Sequence, residues 1–333
     1  MSRPTTEVAS DAERVAPDRP RFVSGHGLAG RIFGWAASGA GVTILVVLAA
    51  VAGFLLLRAW PALTAGGEKL AADISWFRAG DSILTFSGPL IFGTLLAAAV
   101  ALVIAVPLSI GIALFISHYA PRRLANALGY VIDLLAAIPS VVYGLWGSIV
   151  LAPKLFPVWD WLSANLGFIP IFEGPAATPP RVVLTVGLVL AVMVLPIITA
   201  VAREVFLQTP VLHEEAALAL GATRWEMVRM AVLPYGRSGV VSASMLGLGR
   251  ALGETMAVLM ILSPGFTYSF NLLKAGEHQT IAANIANQFP EASGLGVSTL
   301  IATGLALFAI TLVVNMTARW IVARRAEFSG ANG

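Results

Sequence analysis

Long apolar runs, each near the length of a bilayer crossing, alternate along the chain with shorter polar segments. They fall at 32–57, 89–117, 128–151, 182–202, 240–262 and 295–318. A helix needs about 20 apolar residues to cross the hydrocarbon core. The pattern therefore predicts six transmembrane helices in an all-α polytopic membrane protein. Within these runs only Asp133, Arg250 and Glu254 carry charge. Pro107, Pro139 and Pro196 also lie inside them, where membrane helices tolerate proline if neighbouring helices or hydroxyl side chains satisfy the freed carbonyls. Kinks are expected at all three.

The ends and loops set the orientation. Residues 1–31 mix arginines, acids and prolines without an apolar period and read as a disordered cytoplasmic tail. The first run ends at Arg58 and is long enough to span, so 32–58 reads as a retained first helix, not a cleaved signal peptide. A membrane core follows at 85–320, and 321–333 form a cytoplasmic C-terminal tail. With both termini in the cytoplasm, fourteen of the 21 basic residues fall on inside segments and six on outside ones, with Arg250 in the membrane. This positive-inside bias supports both the count of six and the orientation.

Composition narrows the classes. The 333 residues are 57% hydrophobic and only 12% charged, with a mean hydropathy of +0.83, against about a quarter charged in a soluble domain. A net charge of +3 is too small an excess to point to nucleic acid. The lack of cysteine excludes a disulfide framework, an iron–sulfur cluster and a thiol nucleophile. Histidines stand singly at 26, 118, 213 and 278, and His213-Glu214-Glu215 lacks the second histidine of a His-Glu-x-x-His site, so it reads as a solvated helix face and no metal site is expected. The aromatic segment 152–181 suits an interfacial anchor on the outer side, and the polar segment 263–293 a short re-entrant or surface helix.

The longest inside segment, 203–237, is too polar to span and too apolar to be disordered. Its 211–220 run favours a helix ended by Gly221, and Thr223 with Glu226 makes a capping box for a second helix that ends before Pro234. Leu218, Leu220, Trp225, Met227 and Val228 exceed what so small a hairpin can bury, so it should dock on the bilayer or in a partner's groove. Glu215-Ala216-Ala217, three residues, Gly221, nine residues, then Ala231-Val232-Leu233-Pro234 resembles the EAA loop of ABC-transporter permeases. Ala231 departs from the usual isoleucine. The resemblance implies a coupling helix that inserts into a cleft on an ATP-hydrolysing subunit, with Glu215, Ala216, Ala217, Gly221, Leu233 and Pro234 at the matching positions.

Arg250 and Glu254 lie near the middle of the fifth run, where a charge costs about 2.5–3.5 kcal/mol to insert. Four residues apart they share a helix face, although arginine preceding the acid is the weaker orientation for a bridge. Gly249 and Gly253 make a small-xxx-small step that should let another helix approach around Arg250. The residues leave two readings open: a cross-link between helices, or a transient cation for an anionic substrate, since guanidinium suits tetrahedral oxyanions. In the second reading Glu254 keeps the arginine from holding the anion too tightly. Asp133, a lone carboxylate without a second aspartate to form a protease pair, reads as a buried helix-to-helix hydrogen bond.

The run Leu248-Gly249-Arg250-Ala251-Leu252-Gly253-Glu254-Thr255-Met256-Ala257-Val258 is similar to the signature of phosphate-specific ABC importer permeases, with an ending nearer to the PstC type than to PstA. Gly93-Thr94-Leu95, Ala105-Val106-Pro107-Leu108 and Ile138-Pro139-Ser140-Val141-Val142-Tyr143-Gly144 extend the likeness over roughly 85–320. It implies a type I ABC importer permease fold in the bacterial cytoplasmic (inner) membrane. It places Arg250, Glu254 and Thr255 on the substrate path, with Ser140 and Thr94 as hydroxyl candidates whose structural reading, filling a kink, stands beside it. The implied partners are a PstA-like second permease, two PstB-like ATP-binding subunits and a PstS-like extracytoplasmic phosphate-binding protein. No Gly-x-x-x-x-Gly-Lys-Ser/Thr loop occurs, so this chain is expected to have no catalytic residue and to bind no cofactor, with ATP and magnesium held by the partner ATPase. The alternatives are an importer permease for another oxyanion (molybdate or sulfate), a phosphate-status signalling subunit, and a passive channel.

Overall fold

The computed structural model describes residues 28–326. The tail readings at 1–27 and 327–333 lie outside the described residues. Every regular element among the described residues is a helix. Two compact units divide after Ala52. In the first, the described residues belong to α1 (Leu28–Thr64), which includes Leu28–Arg31, inside the segment assigned to the tail. Phe33, Trp35, Leu45 and Val46 are exposed there, as on a helix that is apolar all round and fits lipid.

The second unit carries the rest of the chain. After a short α2 (Gly67–Asp73), α3 (Ile83–Leu114) starts at a capping box: the Thr85 N–H donates to Ser82 Oγ at 3.2 Å and the Ser82 N–H to Thr85 Oγ1 at 2.7 Å. It ends in a π turn, Phe115–Tyr119. The core forms where α3 meets α7 (Val183–Leu207): Ala97, Ala98, Ala101 and Ala105 pack on Val186, Val189, Leu190 and Val194. Alanines allow the close backbone approach that membrane helices need, since burial from lipid adds no hydrophobic drive. Pro107 and Pro196 stay inside these two helices, and Ser109 Oγ donates to the Leu195 carbonyl at 3.1 Å between them.

Among the described residues, five helical stretches are long and apolar enough to cross a membrane: Gly30–Thr64, Ile83–Tyr119, Ser140–Leu166, Val183–Leu207 and Leu295–Trp320. Two of the six expected crossings differ in detail. The run at 128–151 is divided into α4 (Arg122–Ala136) and α5 (Ser140–Trp146), and α5 continues through a π turn into α6 (Ala152–Leu166). The break falls before Pro139, whose ring disfavours the helical region for Ile138. The run at 240–262 is divided into α10 (Leu233–Leu252) and α11 (Met256–Ile261), after α8 (Val211–Ala219) and α9 (Arg224–Met227). It is therefore not an uninterrupted apolar helix.

The outer segments fold back as part of the structure. Trp159, expected at an interface, is 7% exposed and donates through Nε1 to Thr185 Oγ1 at 3.0 Å, while Trp161 remains exposed. In segment 263–293, α12 (Ile281–Gln288) packs between α3 and α13 (Leu295–Ala326), with Ile281, Ala283 and Asn284 buried. Asn271 ties this segment to the preceding outer loop: Nδ2 donates to the Glu173 carbonyl at 2.6 Å, and Oδ1 accepts from the Leu273 and Lys274 N–H groups.

Candidate functional site: a charged helix break and a docked hairpin

The Arg250–Glu254 signature spans the break between α10 and α11. Arg250 lies in the last turn of α10, whose C-cap is Gly253. A cation is favoured there by the helix dipole. Glu254 is 8% exposed, and its Oε1 accepts the Ala257 N–H at 3.1 Å, satisfying an orphan donor of the first turn of α11. The two charges thus serve two different helix ends. Among the described residues the ion pairs are His118–Glu214 and Arg203–Glu204, so Arg250 and Glu254, which could have paired in the weaker i,i+4 orientation, do not. Arg250 is half-buried, and its guanidinium has no hydrogen bond or ion pair within the described residues.

The second break lies beside the first. A Cβ on Gly144 of α5 would come within 2.9 Å of Ala257 Cα and 3.0 Å of Met260 Sδ in α11, so only glycine allows this approach. Ser140 begins α5 and is half-buried. Tyr143, one turn further on, is 7% exposed and donates its hydroxyl to the Leu135 carbonyl at 2.9 Å across the break. Sequence reasoning quoted Tyr143 only as part of a motif. A polar-tipped aromatic four residues after a mid-span proline was the available signal.

The other path candidates separate. Thr255 is the N-cap residue of α11, yet its hydroxyl donates back to the Gly253 carbonyl at 3.2 Å and Glu254 makes the cap instead. Thr94 lies elsewhere, between α3 and α12, donating to the Leu90 carbonyl at 2.7 Å and accepting the Ile281 N–H at 3.0 Å. The close helix approach expected at Gly249 and Gly253 occurs instead at Gly239 and Gly247, where a Cβ would strike Val205 and Ile198 of α7. Gly249 faces open space.

The hairpin follows local rules. Gly221 has φ +87°, a left-handed conformation suited to glycine, and closes α8 with two bonds: Gly221 N–H to the Leu218 carbonyl at 3.0 Å and Ala222 N–H to the Ala217 carbonyl at 3.2 Å. The Thr223–Glu226 capping box opens α9, with Thr223 N–H to Glu226 Oε2 at 2.7 Å. That backbone N–H, and after it the Thr223 hydroxyl, hold the exposed Glu226 carboxyl below the usual carboxylate range. The second helix does not stop before Pro234. It runs from α9 through a π turn, Val228–Val232, into α10, so Pro234 lies inside one continuous helical stretch, directly after the π turn.

One face of the hairpin is anchored and the other is free. Met227, Val228 and Val232 are buried against Ala113 and Leu114 of α3 and Ala202 and Phe206 of α7, with Ala217 and Leu233 beside them. Glu215, Ala216, Gly221 and Pro234 are exposed, as are Leu212, Leu220 and Trp225. Glu214 is not solvated as expected: its Oε1 lies 3.4 Å from His118 Nε2. Nearby, a cavity of about 530 Å³ is lined by Arg122, Asn126, Tyr130, Asp133, Arg203 and Glu204 among others. Asp133 is exposed on this wall and makes no buried hydrogen bond, because α4 leaves that side uncovered.

A bundle of long apolar helices with a charged break between α10 and α11, and a hairpin anchored on one face and bare on the other, fits a transport permease as a class. The chain belongs to the family of binding-protein-dependent transport system inner membrane components, which matches residues 105–327, and its close relatives within that family are PstC permeases. It is 49% identical over 296 residues to the phosphate transport system permease protein PstC 2 of Mycobacterium tuberculosis, covering 87% of this chain and 91% of the relative. It is 39% identical over 321 residues to PstC of Mesorhizobium japonicum, covering 95% and 97%. It is 40% identical over 293 residues to PstC of Haemophilus influenzae, covering 86% and 91%. A bacterial ABC transporter involved in the import of the acidic polysaccharide alginate shares the fold, with a TM-score of 0.57 at 15% identity over 89% of this chain and 96% of that one.

Proposed function

We propose that the chain is the permease subunit of an ATP-driven importer that passes inorganic phosphate across the cytoplasmic membrane. The similarity to phosphate permeases supports the substrate, and one observation carries the site: Arg250 stands at a helix break with no carboxylate neutralising it, because Glu254 is engaged in capping α11. A guanidinium free of a partner offers its planar fork to a tetrahedral oxyanion. Having only one such cation at the break keeps binding weak enough for release, as conduction requires.

In this reading the chain crosses the membrane six times, the α10–α11 segment forming a broken crossing, and both termini face the cytoplasm by the arginine bias. The bare face of the hairpin, with Glu215, Gly221, Leu220 and Trp225, docks on an ATP-binding subunit that holds ATP and magnesium. α9, the π turn and α10 form one helical stretch from Arg224 to Leu252, about 43 Å at 1.5 Å per residue. A displacement at the ATPase therefore reaches the turn that bears Arg250. A PstA-like permease, two PstB-like ATPase copies and a PstS-like extracytoplasmic phosphate-binding protein complete the assembly.

ATP-dependent phosphate uptake into proteoliposomes holding the full complex tests this, with wild type compared with Arg250→Gln at equal assembly. The expected outcome is loss of uptake with the ATPase still bound, and competition by arsenate but not by sulfate or molybdate. Unchanged uptake by Arg250→Gln removes the arginine from the path, and competition by molybdate or sulfate makes the chain a permease for another oxyanion.

A further inference from the structure

The hairpin is joined to the membrane helices by more than its apolar anchor. His118 sits in the π turn that ends α3, with its side chain only 8% exposed. Its Nε2 faces Glu214 Oε1 at 3.4 Å, and its Nδ1 lies 2.6 Å from Ser117 Oγ. Glu214 belongs to the first turn of α8, next to the Glu215-Ala216-Ala217 run that opens the exposed tip.

Donor and acceptor counting sets the direction of these bonds. An ionised carboxylate only accepts, so Nε2 carries the proton toward Glu214. Ser117 has one hydroxyl proton and two sets of acceptors, since its Oγ also lies 2.8 Å from the Ala113 carbonyl. If that proton goes to His118, the ring is neutral; if it goes to Ala113, both ring nitrogens donate and the ring is a cation. Either arrangement presents an N–H to Glu214, and Ser117 fixes the plane of the ring.

The geometry matters because the rest of the hairpin anchor is apolar. Met227, Val228 and Val232 belong to the second helix of the hairpin or the turn that follows it, and they pack without directional bonds. Among the hydrogen bonds from α8 side chains, the one to another element is that of Glu214 to His118. Apolar packing resists separation, whereas the N–H contact to the Glu214 carboxylate, long at 3.4 Å, adds a directional restraint against sliding and rotation.

We propose that His118 is a positioning residue for the coupling step: it ties the first helix of the hairpin to the end of the second membrane helix through Glu214. A push on α8 then reaches α3 as well as α10, and the two helices move together. The coupling part of this inference rests on the permease reading. The tie itself is a property of the chain.

Two measurements on the full complex in lipid test it. In amide hydrogen exchange, His118→Phe, which keeps a ring of similar size, raises exchange across residues 211–219 by about tenfold while 83–114 stay unchanged, and His118→Gln, whose amide can still donate to Glu214, restores protection to within about threefold. In proteoliposomes, His118→Phe and Glu214→Ala each lower phosphate moved per ATP hydrolysed by about fivefold, and the double variant falls no further than the worse single one, as expected for one shared interaction. The proposal is overturned if the exchange of 211–219 does not change, if the glutamine variant behaves like the phenylalanine one, or if the two single effects multiply in the double variant. If the wild-type complex takes up no phosphate with ATP, the permease reading fails and the coupling role with it, while the exchange comparison still decides the tie.

Discussion

The hairpin at 211–234 and the break at 250–257 both hold glycine, an acid and a change of helix direction, yet they are built in opposite ways. In the hairpin, the turn and caps close within a few residues: Leu218 and Ala217 carbonyls to Gly221 and Ala222, and Thr223 to Glu226. At the break, Glu254 also caps locally, but the surroundings come from α5, through Gly144 against Ala257, and from α7 against Gly247. A segment that satisfies its own backbone can be displaced as a unit. One whose shape depends on neighbouring helices responds when those helices move, as the proposed phosphate path through Arg250 requires.

The largest effect should be at the break. Arg250→Gln is expected to lower ATP-dependent uptake by about two to three orders of magnitude, since it removes the charged partner of a poorly solvated anion. Glu254 sharpens the comparison by separating cap from charge. Glu254→Gln keeps an oxygen for the Ala257 N–H and should stay within about threefold of wild type, whereas Glu254→Leu loses a cap worth about 0.5–2 kcal/mol and should fall roughly tenfold in uptake. If glutamine is as damaging as leucine, the negative charge of Glu254 and not its hydrogen bond serves transport.

Glycine substitutions contrast the two regions next. Gly221→Ala forces a side chain into a left-handed conformation at a cost of about 1–2 kcal/mol, and should loosen the hairpin and weaken its hold on the ATPase in a pull-down of the assembled complex. Gly249→Ala meets open space inside a helix and should leave uptake and thermal stability near wild type. Equal damage from both would erase the distinction between a locally built turn and a packed break.

The smallest effect concerns pH. The Glu226 carboxyl is held below its usual value in the folded hairpin, so its contribution to stability is present above the unfolded pKa and is lost as pH falls through the folded one. Amide exchange across 223–227 should therefore rise, relative to intrinsic rates, on acidification from neutral pH into the carboxylate range. Thr223→Ala should weaken that pH dependence without removing it, because the backbone N–H of residue 223 still donates to the carboxylate, whereas Glu226→Gln should abolish it.

Particular residues show what could be read in advance. Gly221, Thr223 and Glu226 were legible because turn and cap rules concern neighbours in sequence. The membrane class and most of the crossings were legible because the bilayer imposes a length and a polarity on each segment. The continuation of the helix through Pro234 was not legible, since proline by itself reads as a helix stop, whereas here it follows a π turn inside one continuous stretch. Asp133 and Glu214 were assigned the wrong surroundings, one expected buried and found on a cavity wall, the other expected solvated and found against His118.

By itself the sequence determined a helical membrane protein with a capped hairpin and a charged signature inside a crossing, since apolar length, glycine conformation and side-chain caps act over one or two turns. Only the tertiary structure decided that Glu254 caps α11 instead of pairing with Arg250, that helices meet closely at Gly239 and Gly247 and not at Gly249, and that Glu214 meets a histidine 96 residues away. The physical reason is that a hydrogen bond or close contact between distant segments depends on how whole helices dock. No local periodicity carries that information.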